Sequence, residues 1–245
     1  MFLGIDAGST YTKYVMVDKS KKILRTEKLR TPVDQVNHYR LLVDALREKF
    51  NINGIAACGY GRKNTHADVE FSELTSLARG VHFLYPDVRT VIDIGGQDTK
   101  VLVIKKGKLV DFVLNDKCAA GAGLYIKNAL DILNIQFSEL DRLLLDFECV
   151  KPMSTVCALY AQSEIIARIA SGEKRERILI AAVDFVLQQV KQFVMRVKPT
   201  GKVFLTGGFS PFETIRRRLS RLIGQEVFIP GYSEFLSAYG STLCF

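Results

Sequence analysis

Nearly the same nine residues occur twice in this 245-residue chain, as IDAGSTYTK at 5–13 and IDIGGQDTK at 92–100. The copies share Ile, Asp, Gly, Thr and Lys in register. In each, an apolar run ends in an aspartate, Asp6 or Asp93, and a turn of glycine and small polar residues opens an outgoing strand. Such a turn lets backbone N–H groups approach phosphate oxygens, and the hydroxyls of Ser9 and Thr10 add donors. An aspartate would repel a bare phosphate, but a hydrated Mg²⁺ between the two resolves the conflict. Gly8, Ser9 and Thr10 in one copy, and Gly95 and Gly96 in the other, are therefore candidate phosphate cradles. Asp6 and Asp93 are candidate Mg²⁺ anchors, and Gln97 or Asp98 is placed to orient an attacking water. Lys13 and Lys100 hold equivalent places on the outgoing strands; one could reach phosphate, though exposed strand lysines are the commoner arrangement.

A third glycine signal comes late, in VFLTGGFSPFETIRRRL. A buried-type strand, then Gly207 and Gly208, then a helix would present helix N–H groups and a flat backbone surface to an adenosine. Two cysteines also stand at expected helix starts, Cys118 in NDKCAAGAG (115–123) and Cys157 in MSTVCALYAQSE (153–164), the latter preceded by the capping candidates Ser154 and Thr155. A thiolate at a helix N-terminus is stabilised by unpaired N–H groups and the helix dipole. The plain alternative is a buried, small apolar residue, the usual fate of a free cysteine. Two thiolates are too few for an iron–sulfur cluster, but a twofold dimer would supply four.

The elements that must position these residues also come in pairs. FLGID, TKYVMVD and ILRTEKL read as three strands followed by the helix NHYRLLVDALREKF; TVIDI, TKVLVI and LVDFVL repeat the plan before AGLYIKNALDIL. This is an internal duplication of an α/β unit. A hydrophobic content of 48% and a charged content of 24% are ordinary for a globular chain. The net charge of +8 suits an anionic ligand or acidic partner, while its densest basic run, RRRLSR, falls in an expected helix and no nucleic-acid motif accompanies it. The longest apolar run, ILIAAVDFVL, contains Asp184 and is too short to span a bilayer. With no targeting segment visible, a cytoplasmic protein that binds neither membrane nor nucleic acid is expected. The cysteine count is odd, at five, which argues against a disulfide framework. His38, His66 and His82 lack metal-ligand spacing and read as surface or cap residues, and GxSxG is absent.

Phosphate 1, phosphate 2 and adenosine motifs in this order, closed by GYSEFLSAYGSTL, resemble the actin, Hsp70 and sugar kinase superfamily. The resemblance covers essentially the whole chain. It implies an α/β, actin-like (ribonuclease H-like) ATPase fold with two duplicated subdomains facing a nucleotide cleft. Subdomain I would comprise 1–88 plus approximately 226–245, and subdomain II would comprise 89–225. A more specific likeness rests on GYGR (59–62), SEL (72–74), IDIGGQD (92–98), NDKCAAGAG and CALYAQSE. These resemble the ATP-dependent activators of 2-hydroxyacyl-CoA dehydratases and the ATPase subunits of benzoyl-CoA reductase.

That resemblance implies ATP/ADP with Mg²⁺ and a homodimer bridged by one 4Fe-4S cluster on Cys118 and Cys157. It implies a dehydratase or reductase metalloprotein as partner, and ferredoxin or flavodoxin as electron donor. Cys58, Cys149 and Cys244 match no family position and are expected to be structural. The sequence departs from the family at Ala122, where a Thr is usual, and at Gln162, where an acid is usual. Two other readings remain open: a small-molecule kinase of the same fold, of the pantothenate or N-acetylhexosamine type, and a filament-forming scaffold.

Overall fold

The computed structural model describes residues 1–115, 122–145, 150–154 and 158–245. Packing divides the chain into two units. Unit 1 holds Met1–Val88, Ile104–Val110 and Tyr232–Phe245; unit 2 holds Arg89–Val103 and Asp111–Gly231.

Unit 1 begins with β1 (Phe2–Ala7), β2 (Tyr11–Val17) and β3 (Ile23–Arg30), followed by α1 (Gln35–Lys49) and β4 (Gly54–Cys58). Next come β5 (Val69–Glu70) and α2 (Glu73–Leu84). Its sheet runs β3-β2-β1-β4-β5. β1 and β2 are buried on both faces, and alternation assigns their side chains to different cores. Leu3, Ile5, Tyr14 and Met16 join Tyr39, Val43 and Leu46 of α1, whereas Val15 and Val17 join Ala238 and Tyr239 near the C-terminus.

Unit 2 contains most of β6 (Val88–Ile94) and β7 (Thr99–Lys105) and the end of β8 (Lys108–Asn115), the β7–β8 turn at Ile104–Val110 counting with unit 1, then α3 (Gly123–Ile132) and α4 (Leu140–Leu144). These precede α5 (Ala158–Ala170), α6 (Arg175–Val197), β9 (Lys202–Thr206), α7 (Glu213–Ile223) and β10 (Val227–Phe228). Its sheet reads β8-β7-β6-β9-β10. In both sheets the first strand is central, flanked by its hairpin partner on one side and a later strand on the other, so the duplication extends from the motif to the topology. β10 pairs in parallel with β9, which keeps residues up to Gly231 in unit 2. The chain then returns to unit 1 through α8 (Leu236–Ser241).

α6 is longer than the apolar run ILIAAVDFVL suggested: it spans 23 residues, with an 18-residue window of mean hydropathy 1.5. Length and composition alone would let it cross a membrane, but 56% of that window is buried in the protein. Ile178, Leu179, Val183, Val186, Val190 and Val194 pack into the core of unit 2, which accounts for its apolarity.

Candidate functional site

The two repeated motifs fold as the same device. In unit 1, Asp6 lies opposite Lys13 across the β1–β2 ladder; in unit 2, Asp93 lies opposite Lys100 across β6–β7. In each hairpin the lysine ammonium sits 3.6 Å from the aspartate carboxylate. Neither lysine is an exposed strand residue as expected: Lys13 is half-buried, and Lys100 retains only 3% exposure. A buried ammonium needs nearby anions to offset its desolvation, and Lys100 has a second one, Asp98, at 2.9 Å. Asp98 is thereby committed to Lys100, a role that its place in the turn did not reveal. Gln97, its neighbour, is exposed.

Each turn opens with a glycine for one steric reason. A Cβ at Gly8 would come within 2.6 Å of the Tyr11 carbonyl oxygen, and a Cβ at Gly95 within 2.6 Å of the Asp98 carboxylate. The turns differ in what holds them. Around the first, the Thr31 hydroxyl donates to Gly8 O (2.8 Å), and the Thr31 N–H donates to Thr10 O (3.0 Å). Thr12 links that support to the buried Tyr39 through a 2.9 Å hydroxyl contact, and burial pushes the Tyr39 phenol up. The GYGR stretch meets the same place: the Gly61 N–H donates to Ala7 O at 2.8 Å, and a Cβ on Gly59 would lie 2.7 Å from Asp6 Oδ1. Ser72 of the SEL stretch caps α2, accepting from the Thr75 N–H at 3.1 Å.

The second turn is held by a helix. The first two N–H groups of α3, those of Gly123 and Leu124, donate to Gly95 O (2.9 Å) and Gly96 O (2.7 Å). Ala122, the residue that departs from the family's Thr, is the N-cap of α3 and brings no side-chain acceptor. The turn carbonyls supply what a capping hydroxyl otherwise would. Behind the turn, the Thr206 hydroxyl donates to Asp93 Oδ2 at 2.7 Å. Gly207 follows with φ +88°, where a Cβ would lie 2.4 Å from Ile94 O, so β9 approaches the base of the hairpin through a residue that only glycine can fill.

Gly208 faces open space. The adjoining helix does not offer its N–H groups as expected, however. α7 starts only at Glu213, and the N–H groups of Glu213 and Thr214 go to the Asp141 carboxylate at 3.2 and 2.9 Å. Of the RRRLSR run, Arg216 and Arg217 pair with Glu213 and Arg218 with Asp184.

Cys118, Cys149, Cys157 and Thr155 lie outside the described residues. What surrounds the cysteine-bearing stretches is described. α3 and α5, the helices that follow Cys118 and Cys157, pack against each other. The N–H and hydroxyl of Ser154 both donate to Glu164 from within α5, at 3.0 and 2.8 Å. Glu164 in turn is gripped by Arg168, which also donates to Lys151 O and Pro152 O. The segment leading to Cys157 is thus tied to α5 by a buried guanidinium. Gln162 is exposed. Cys58 is fully buried, which pushes its thiol well up, whereas Cys244 is exposed. His66 caps the turn at 62–65, and His82 lies in the last turn of α2. No cluster of three or more His, Cys, Asp or Glu with metal-binding geometry occurs among the described residues. The oxygen donors at Asp6 and Asp93 suit a hydrated Mg²⁺ rather than a softer metal.

The arrangement defines a class before it defines a protein. A ROK family glucokinase from Streptomyces griseus superposes with a TM-score of 0.59 over 99% of this chain and 98% of its own, at only 15% identity, a likeness of fold alone. The activator of 2-hydroxyisocaproyl-CoA dehydratase from Clostridium difficile, solved with bound ADPNP, superposes far more closely, with a TM-score of 0.91 over 99% of this chain and 93% of its own. Component A of (R)-2-hydroxyglutaryl-CoA dehydratase from Acidaminococcus fermentans also reaches 0.91, over 99% of this chain and 96% of its own. The protein has the actin-like ATPase fold. In sequence it is 32% identical to the Clostridioides difficile activator over 98% of this chain and 93% of the relative, and 31% identical to the Acidaminococcus activating ATPase over 98% and 95%. Residues 3–244 match the BadF/BadG/BcrA/BcrD ATPase family, and the chain belongs to it.

Proposed function

We propose that this protein is an ATP-driven activator that passes a low-potential electron to a metalloenzyme of the 2-hydroxyacyl-CoA dehydratase or related reductase type. The observation that carries the reading is the pair of hydrogen bonds from Gly123 and Leu124 to the carbonyls of Gly95 and Gly96. They join the turn that takes phosphate to the helix that begins just after Cys118. Any displacement of the turn on loss of the γ-phosphate is then transmitted to that helix, and through its packing on α5 to the segment around Cys157.

In this reading Gly8, Ser9, Thr10, Gly95 and Gly96 take the phosphates, and Gly207 and Gly208 form the backbone surface beside the adenosine. Asp6 and Asp93 hold Mg²⁺ through its waters. Lys13 and Lys100 orient the two carboxylates, and Lys100 fixes Asp98 so that Gln97 is the side chain left to orient the attacking water. Cys118 and Cys157 from each subunit of a homodimer would hold one 4Fe-4S cluster, which supplies one-electron chemistry when bound. Ferredoxin or flavodoxin would restore the electron.

The test is iron and acid-labile sulfide per dimer in anaerobically purified protein, with Cys118→Ala and Cys157→Ala alongside. About four iron per dimer, lost in either variant while ATP binding persists, is expected. Absence of iron after anaerobic reconstitution, with ATPase activity intact, would overturn the electron-transfer reading and favour a phosphotransferase.

A further inference from the structure

Unit 1 carries a groove that the nucleotide reading does not use. It has a volume of about 450 Å³ and is lined by Phe71, Arg79, His82, Phe83, Gly107, Leu243 and Cys244. Three distant stretches build it: the outer face of α2, the β7–β8 turn and the last residues of the chain. Arg79, His82 and Phe83 stand at i, i+3 and i+4 on α2 and so share one face. That face is held rigidly from behind. A Cβ on Gly80 would lie 2.2 Å from Leu236 O, and one on Gly240 1.8 Å from Ser76 O, so α2 and α8 touch backbone to backbone. At the β7–β8 turn, Gly107 (φ +73°) lies against the His82 ring, where a Cβ would meet Cδ2 at 2.8 Å. The groove is therefore formed before any ligand arrives.

Its chemistry is two-sided. Phe71, Phe83 and Leu243 make it apolar, and Phe83 is 54% exposed. Arg79 makes no ion pair among the described residues; its guanidinium lies over the Phe71 ring, 4.6 Å from the centroid. A stacked guanidinium with no carboxylate partner, set in an apolar wall, is a receptor for a carboxylate that brings hydrocarbon with it. Cys244 stands at the rim, its Sγ 3.2 Å from Ser241 O; burial pushes its thiol up, and the charges of Lys21 and Arg79 oppose that push only in part. The volume falls within the range of small-molecule sites.

We propose that this groove binds a small apolar carboxylate, an acyl or aryl acid, with its carboxylate on the Arg79 guanidinium and its hydrocarbon on Phe71, Phe83 and Leu243. The site is separate from the nucleotide turns, so the proposal stands or falls independently of the ATPase reading.

Octanoate is the probe, and octanamide is its neutral counterpart of the same length. In calorimetric titration of the full chain, octanoate should bind and octanamide should bind about tenfold more weakly, the loss expected when one charge-assisted pair is removed. Arg79→Gln should weaken octanoate to the level of octanamide, while Arg79→Lys should recover part of the difference. Octanoate should also slow alkylation of Cys244 by iodoacetamide, followed by mass spectrometry of the C-terminal peptide. Equal binding of octanoate and octanamide to the unaltered protein, or unchanged Cys244 alkylation at saturating octanoate, would overturn the proposal. Both measurements use the unaltered protein and so remain decisive even where Arg79→Gln fails to fold.

Discussion

The β1–β2 and β6–β7 hairpins are written in almost the same letters and hold the same Asp–Lys pair at the same 3.6 Å, yet their surroundings differ. The first turn is fastened to fixed structure: Thr31 takes the carbonyl of Gly8, and Gly61 takes that of Ala7. The second turn gives its carbonyls to the start of a helix, and its lysine is sunk among two carboxylates. In the proposed function the duplicated motif would serve twice for binding and only once for transmission. What distinguishes the copies is where their backbone hydrogen bonds go.

The largest expected effect separates the two lysines. Lys100→Met leaves Asp93 and Asp98, 6% and 7% exposed, without the ammonium that both approach. Breaking a buried pair in this way costs about 3–5 kcal/mol. Lys13 serves one carboxylate and its side chain is 15% exposed, so Lys13→Met should cost about half as much. Chemical denaturation of both variants checks the ratio. Equal losses would mean that the burial of Lys100 does not set the hairpins apart.

Next in size is Gly123→Val. A Cβ there would lie 2.2 Å from the Phe209 ring and 2.8 Å from Gly95 O, so the start of α3 must move off the turn. Overpacking of this kind costs about 1–3 kcal/mol. Nucleotide affinity should fall less than the nucleotide-dependent change in protease sensitivity of the chain, which should largely disappear. If both persist at wild-type levels, the two hydrogen bonds to α3 transmit nothing.

A smaller pair of changes compares the supports directly. Thr31→Val removes the hydroxyl that donates to Gly8 O, and Thr206→Val removes the one that donates to Asp93. Each loses about 1 kcal/mol of hydrogen bonding, with a larger loss at Thr206 because the charged acceptor stays buried. Thermal melts with and without ATP should show the Thr206 variant losing more of the nucleotide-induced stabilisation.

Much of this was legible from the letters. The repeated IDxG pattern gave both hairpins and the third strand beside each, because period-two burial and glycine turns are local signals, whereas β4, β5 and β10 and the order of the sheets were not read. Residues whose role depends on distant partners were not legible. Lys100 looked like a surface strand residue because its burial comes from the fold around β7. The N-terminus of α7 looked available because Asp141, which caps it, stands far upstream in a short helix. The tie from Ser154 to Glu164, ten residues on inside α5, was not legible either, because it depends on the turn of the chain between them. Arg79 carried no motif at all, and only the packing of α2 on α8 turns it into a groove wall.

The smallest effect concerns the acidic residue that offsets the basic run of α7. Arg216, and then Arg217, hydrogen-bond Glu213 and hold its carboxyl down at about 2. A folded-state value below the unfolded one means that this residue stabilises the protein above its ordinary carboxylate range. The contribution fades as the pH falls from about 4.5 toward 2. Because the side chain is 42% exposed, solvent screening reduces it to well under about 1 kcal/mol. Glu213→Gln should therefore flatten the stability curve slightly between pH 5 and 3, on the order of a few tenths of a kcal/mol, and leave both hairpins untouched. Raised salt should erase the difference, since the ion pairs involved lie at the surface. A loss at Glu213→Gln as large as that at Lys100→Met would show that α7, rather than the buried lysine, governs the stability of unit 2.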